Sequence, residues 1–344
     1  MPQQHFASDN NAGLCPEALE ALIAANREGH AAGYGGDAWT ERACKALRAL
    51  FETDCAVFFV FSGTAANALA LAQVCRSYHA VIAHADSHVA ADEAGAVGFC
   101  SGGASLLAAD TPLAKLTPAA VEALAAARRG VHSVKPRAVS LTEATEMGTL
   151  YTREEIAALT EVARRHGLTV HMDGARLANA VAALGCAPAD ITWRAGIDVL
   201  CLGGVKDGLA AGEAVLFFDR ALAAEFEWRI KQAGHLNSKM RLVTAPWTAV
   251  LESGAWLRNA QHANAMARRL WECIGKVPGV DAMAPVESNA VFVRMPAGVA
   301  ERLQQKGWRF YPWGGGFRLM CAWDTEAETV DRFAADLAEN SRAG

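Results

Sequence analysis

A chain of 344 residues, 52% of them hydrophobic and 20% charged, can bury a large core distributed over about two domains. A net charge of −5 leaves no polycationic face, which argues against nucleic acid as the main partner. No window approaches the roughly eighteen apolar residues of a membrane span, and the opening MPQQHFASDNNAGL lacks the features of a signal peptide, so a soluble, cytoplasmic protein is expected. Nine cysteines at 15, 44, 55, 75, 100, 186, 201, 273 and 321 include no CxxC pair. They read as small buried hydrophobes in a reducing compartment, with neither disulfides nor a metal site.

The elements alternate along the first two thirds. Helical periods cover 16–29, 39–52, 63–77, 118–130 and 152–167, and strand candidates cover 57–61, 80–85, 138–144, 168–173, 199–203 and 214–218. Thr152 with Glu155 forms a capping-box pattern, and Gly167 stands just past that helix. This alternation predicts an α/β fold with a mainly parallel sheet covered on both faces. Near residue 245 the pattern changes to a long helical stretch over 247–275, then short strands mixed with two helices. A large domain over 1–245 and a smaller α+β domain over 246–344 are therefore expected.

In such a sheet, ligands bind at the carboxyl ends of the strands, and four chemically suggestive elements follow strands in order. Ser62, Gly63 and Thr64 open a helix after VFFVF and would offer backbone N–H groups to a phosphate; the plainer alternative is an ordinary helix cap. His88 follows AVIAHA and could lie flat against a ring, or simply begin a helix. Asp173 ends LTVHMD and could hold a protonated pyridine nitrogen, or pair with Arg176 to support a loop. Lys206 follows VLCLG between glycines; desolvation there would favour its neutral, nucleophilic form, although a surface turn is the alternative. Taken together, a phosphate cradle, a ring neighbour, an acid and a later lysine stand in the order used by pyridoxal phosphate enzymes.

The residues carrying this order extend across the chain: Ser8-Asp9-Asn10, Tyr34-Gly35-Gly36-Asp37, Ser62–Asn67, His88 with Glu93-Ala94-Gly95, Asp173-Gly174-Ala175-Arg176, Lys206, and Arg318 in GFRLMCAWDT. With these the sequence resembles the low-specificity L-threonine aldolases among the fold type I pyridoxal phosphate enzymes. Two stretches depart from the pattern. Gly204-Val205-Lys206-Asp207-Gly208-Leu209 stands where many members have Ser-Lys-Gly-Leu-Gly-Ala-Pro, and Thr142-Glu143-Ala144-Thr145 where they have Glu-Asn-Thr. The lysine loop resembles the branch with phenylserine aldolases.

The resemblance implies retro-aldol cleavage of L-β-hydroxy-α-amino acids to glycine and an aldehyde, with pyridoxal 5′-phosphate as cofactor and a homodimer or homotetramer as the assembly. It implies Lys206 as the Schiff-base lysine, Asp173 on the pyridinium, His88 on the ring, Ser62, Gly63 and Thr64 at the phosphate, and Ser8, Arg176 and Arg318 around the substrate carboxylate. His132 would lie near the substrate hydroxyl, and Tyr34 would reach a site across a dimer interface. His88, His132 and an ordered water all stay open as the general base. A pyridoxal phosphate β-eliminating lyase would keep the same cofactor residues. A Rossmann-like nucleotide binder would require GxGxxG, which SGTAAN does not supply.

Overall fold

The computed structural model describes residues 5–127 and 130–342. Seven strands form the main sheet: β1 (Ala56–Val60), β2 (His79–His84), β3 (Ser105–Ala109), β4 (Lys135–Thr142), β5 (Thr169–Gly174), β6 (Val199–Leu202) and β7 (Glu213–Phe217), in the spatial order β1-β7-β6-β5-β4-β2-β3. All pairings are parallel except those of β7, which runs antiparallel to both β1 and β6. The fully buried patterns of β2, β5, β6 and β7 are those of strands covered on both faces. The expected strands occur within three residues of their predicted bounds, and β3 is an addition.

Each expected helix in this region forms, and local signals explain the boundaries. Pro16 begins Pro16–Arg27, where its missing N–H costs nothing. Asp37 caps Ala38–Leu50 through Thr40 N–H. Thr152 and Glu155 form a reciprocal capping box at the start of Arg153–Arg165. The stretch expected as one long helix is two, Arg241–Glu252 and Ala255–Ile274, because Gly254 takes φ 73° between them.

A second, antiparallel sheet contains β8 (Asp281–Ala282), β9 (Ala290–Arg294), β10 (Tyr311–Trp313) and β11 (Gly316–Met320), in the order β10-β11-β9-β8. Its apolar cluster holds Val291, Leu319 and Phe333, and also Phe6 from the other end of the chain. Phe6 is drawn there by backbone bonds: its N–H donates to Arg309 O at 2.7 Å, and Met320 N–H donates to its carbonyl at 2.8 Å. The N-terminal segment thus runs beside the second sheet before crossing to the first. Among the described residues no helix is long and apolar enough to cross a membrane.

The carboxyl ends of β5 and β6 approach each other closely. A Cβ added to Gly203 would lie 2.7 Å from the Ala175 Cα and 2.8 Å from its carbonyl carbon. Both are backbone atoms that cannot turn aside. Gly203→Ala is therefore expected to cost about 1–3 kcal/mol, as overpacking does, read as a lower urea midpoint with an unchanged slope.

Candidate active site

A continuous crevice opens along the carboxyl edge of the main sheet. One lobe, about 330 Å³, is lined by Ser62, Gly63, Thr64, His88, Asp173 and Lys206 among others. The other, about 200 Å³, is lined by Ser8, His88, Glu146, Arg176, Lys206 and Arg318 among others. Gly63, Asn67, His88, Asp173, Ala175 and Lys206 border both, so the lobes form one site.

Lys206 sits in the short turn Val205–Asp207 directly after β6. Burial first, and then the charge of Arg176, push its amine below the usual lysine range. The turn is held from beneath by Glu213 on β7, whose carboxylate accepts the Gly204 N–H at 2.6 Å.

Asp173 lies at the end of β5, buried but bordering the crevice. One carboxylate oxygen accepts the Ala175 N–H at 2.9 Å and the other accepts from Asn67 Nδ2 at 2.8 Å. Asn67 also donates to Glu93 at 2.9 Å. Glu93 in turn lies 2.8 Å from His88 Nδ1. That hydrogen bond is the main reason the His88 imidazole is raised above its ordinary range; burial opposes it and the Asp173 charge assists it. Glu93, Asn67 and Asp173 therefore fix the ring and the acid together.

Ser62 caps the twelve-residue helix Gly63–Val74 by accepting the Ala65 N–H at 3.4 Å. Gly63 and Thr64 in the first turn line the crevice, and space beyond Gly63 is open: an added Cβ there meets nothing within 4 Å. An anion suits this place.

Two guanidiniums border the second lobe. Arg176 donates to Asp9 from Nε at 2.7 Å and from Nη2 at 2.9 Å, and Asn289 donates to the same carboxylate at 3.0 Å. Burial alone would raise Asp9, but Arg176 holds its carboxyl below the usual range. Arg318 on β11 donates from Nη2 to Ala7 O at 3.1 Å and lies 5.6 Å from the Trp313 ring. Its Nε is buried without a partner. Burial first, then repulsion from Arg176, lower its affinity for its proton. Adjacent like charges with an unpaired donor call for an anion, and a carboxylate suits the guanidinium fork.

The crevice thus brings together Ser8, Ser62, Gly63, Thr64, His88, Asp173, Arg176, Lys206 and Arg318. It does not bring in His132, which is exposed in the turn preceding β4. β4 ends at Thr142, which borders the second lobe, so the histidine stands beyond the strand's opposite end, which is about 23 Å away at 3.3 Å per residue. In its own chain the histidine lies away from the crevice. Tyr34 is 56% exposed and borders a separate hollow with Phe61, Lys231 and His235, its ring 4.9 Å from the Lys231 ammonium. Within its own chain it stands outside the crevice.

Sequence reasoning assigned no role to Asp9, Asn67, Glu93, Glu146 or Glu213. Asp9, Asn67 and Glu93 lie inside the motifs that carried the resemblance; Glu146 is one residue beyond Thr142–Thr145. Glu213 opens β7, where a buried acid in an apolar strand is itself a signal.

Residues 5–297 match the family described as beta-eliminating lyase. The chain is 54% identical over 336 residues to a low specificity L-threonine aldolase of Pseudomonas aeruginosa, covering 97% of each. It is 53% identical to one from another Pseudomonas species, again over 97% of both chains. A threonine aldolase structure from Leishmania major superposes with a TM-score of 0.91 at 30% identity, covering 98% of this chain and 99% of that one. The chain belongs to the beta-eliminating lyase family, on the side occupied by the threonine aldolases. Its architecture is that of a fold type I pyridoxal phosphate enzyme, a large α/β unit with a mainly parallel sheet followed by a smaller α+β one.

Proposed function

We propose that the protein is a pyridoxal phosphate-dependent aldolase that cleaves L-β-hydroxy-α-amino acids, of the threonine, allo-threonine and phenylserine kind, to glycine and an aldehyde. The observation that carries this reading is one crevice holding Lys206, Asp173, His88 and the helix start at Gly63 beside the guanidiniums of Arg176 and Arg318.

The residues present fit the cofactor. Its phosphate would rest on the backbone N–H groups at Gly63 and Thr64, with Ser62 capping that helix. Asp173 would hold the proton of its ring nitrogen, and His88 would lie against the ring. The Lys206 amine, its proton affinity lowered by burial, would anchor its aldehyde carbon. When bound, the cofactor supplies an electron sink for the pair released at the substrate's α-carbon.

The protein's own part is positional and electrostatic. Asn67 and the Ala175 N–H keep Asp173 oriented and accepting. Arg318 and Arg176 would bind the substrate carboxylate, with Ser8 beside them, and fix which bond at the α-carbon is aligned for cleavage. Arg318→Lys is expected to raise KM about tenfold, equivalent to ~1.4 kcal/mol of binding, with a much smaller change in kcat. Steady-state kinetics with L-threonine would resolve the two constants.

A homodimer or homotetramer belongs to this reading, with Tyr34 reaching a neighbouring protomer's site from its exposed position. Cytoplasmic residence is also part of it, supported by nine unpaired cysteines. The division into units over 1–245 and 246–344 is retained, with Phe6 crossing to the second.

The test is to incubate the protein with pyridoxal phosphate and L-threonine, L-allo-threonine or L-phenylserine. Glycine and the matching aldehyde are expected. Pyruvate and ammonia would instead identify a β-eliminating lyase.

A further inference from the structure

The second lobe contains a carboxyl group with no assigned task. Glu146 follows the end of β4 and borders the lobe together with Thr142, His88, Arg176 and Arg318. Its Oε1 accepts the His88 backbone N–H at 2.9 Å. Its Oε2 is buried and meets no donor at full hydrogen-bond geometry, although the Thr142 hydroxyl stands close enough to act on this carboxyl.

The other acids there are engaged or exposed. Asp173 is held by Asn67 and Ala175 N–H, and Asp9 by Arg176 and Asn289. Asp92 borders the lobe from the solvent side. His88 is tied through Nδ1 to Glu93. A buried carboxylate oxygen without a full hydrogen bond is costly unless a donor reaches it in the working complex. A hydroxyl donor from a bound molecule would do so.

Resting on the aldolase reading, we infer that Glu146 is the catalytic residue that accepts the proton of the substrate's β-hydroxyl. The step balances as follows. The O–H proton passes to the Glu146 carboxylate, and the O–H bonding pair becomes the second bond of the aldehyde carbonyl. The Cα–Cβ bond breaks and leaves its pair on the α-carbon, which takes up a proton to become glycine. In the synthetic direction Glu146 returns the proton to the new alcohol.

Electrostatics agree with this placement. Burial, then the negative charge of Asp173, raise the Glu146 carboxyl to about 7, against the backbone N–H groups of His88 and of Glu146 itself and the Thr142 hydroxyl, which lower it. An acceptor poised there can both take and return a proton near neutrality. The groups facing it across the lobe are His88, Asp92, Asp173, Arg176, Lys206 and Arg318. The two guanidiniums and the lysine favour its anion, and the two aspartates oppose it.

Glu146→Gln tests the inference because the amide oxygen can still accept the His88 N–H while basicity is lost. Cleavage of L-threonine by the pyridoxal phosphate-loaded variant should fall by at least about 10²-fold, the contribution of a positioned proton acceptor. Exchange of the glycine α-hydrogen with deuterated water involves no hydroxyl. Measured by NMR it should persist at the parent's rate, as should the absorbance change on adding glycine. The parent's kcat/KM should decline below about pH 7 as Glu146 becomes protonated, and this acid limb should disappear in the variant. Undiminished cleavage in the variant would overturn the inference, and so would exchange falling in parallel with cleavage. If the parent itself releases no glycine from any β-hydroxy amino acid, the aldolase reading fails before the variants are compared.

Discussion

Lys206→Ala is expected to lower cleavage of L-threonine by roughly 10³-fold or more, the scale seen when a group acting covalently is removed. It should also abolish the borohydride-sensitive visible absorbance of the loaded protein. The cause is local. The amine stands on a turn after β6, tied down by Glu213 and bordering both lobes, and burial depresses its affinity for a proton. Alanine leaves the backbone turn and the Gly204–Glu213 bond in place, so the thermal midpoint should change little. Retention of parental activity would sink the functional reading as a whole.

Asp173→Asn should reduce kcat by about 10²–10³-fold, as removing one preorganised electrostatic partner does. The substitution is nearly isosteric and can keep an oxygen toward the Ala175 N–H. The second oxygen's bond from Asn67 Nδ2 would be replaced by an N–H facing an N–H unless the side chain turns over. What it removes is the negative charge that would keep a ring nitrogen protonated. A companion change is expected in His88, whose raised proton affinity draws partly on that charge. The imidazole should titrate at lower pH in the variant, which NMR of labelled histidine can follow. An unaltered kcat would disprove the role of Asp173 without touching that of Lys206.

The sheet was legible in sequence wherever strands are apolar and terminate in small or polar residues, as at VFFVF and LTVHMD. β3 was not, because SLLAA is alanine-rich and only partly buried at a sheet edge. The antiparallel sense of β7 was equally hidden: periodicity records burial, not direction. The motif order placed Lys206, Asp173, His88 and Gly63 correctly at one edge, since strand ends in such a sheet converge by topology. His132 lies in the turn ahead of β4, toward the end of that strand opposite Thr142, so its own chain does not carry it to the crevice. Glu146 escaped notice because its significance depends on one unpartnered oxygen, which only coordinates reveal.

Residues 5–12 belong to neither sheet's own run of strands, yet the guanidiniums of Arg176 and Arg318 both touch them. Arg318 rests on the Ala7 carbonyl and Arg176 on the Asp9 carboxylate, two positions further along. That short piece therefore acts as a ruler, setting the gap between two cations, one just after a strand of the main sheet and one on the second sheet. Under the proposed reading, extensions or cuts at the amino terminus would shift how tightly amino acids are held while leaving the lobe built from the central strands almost undisturbed.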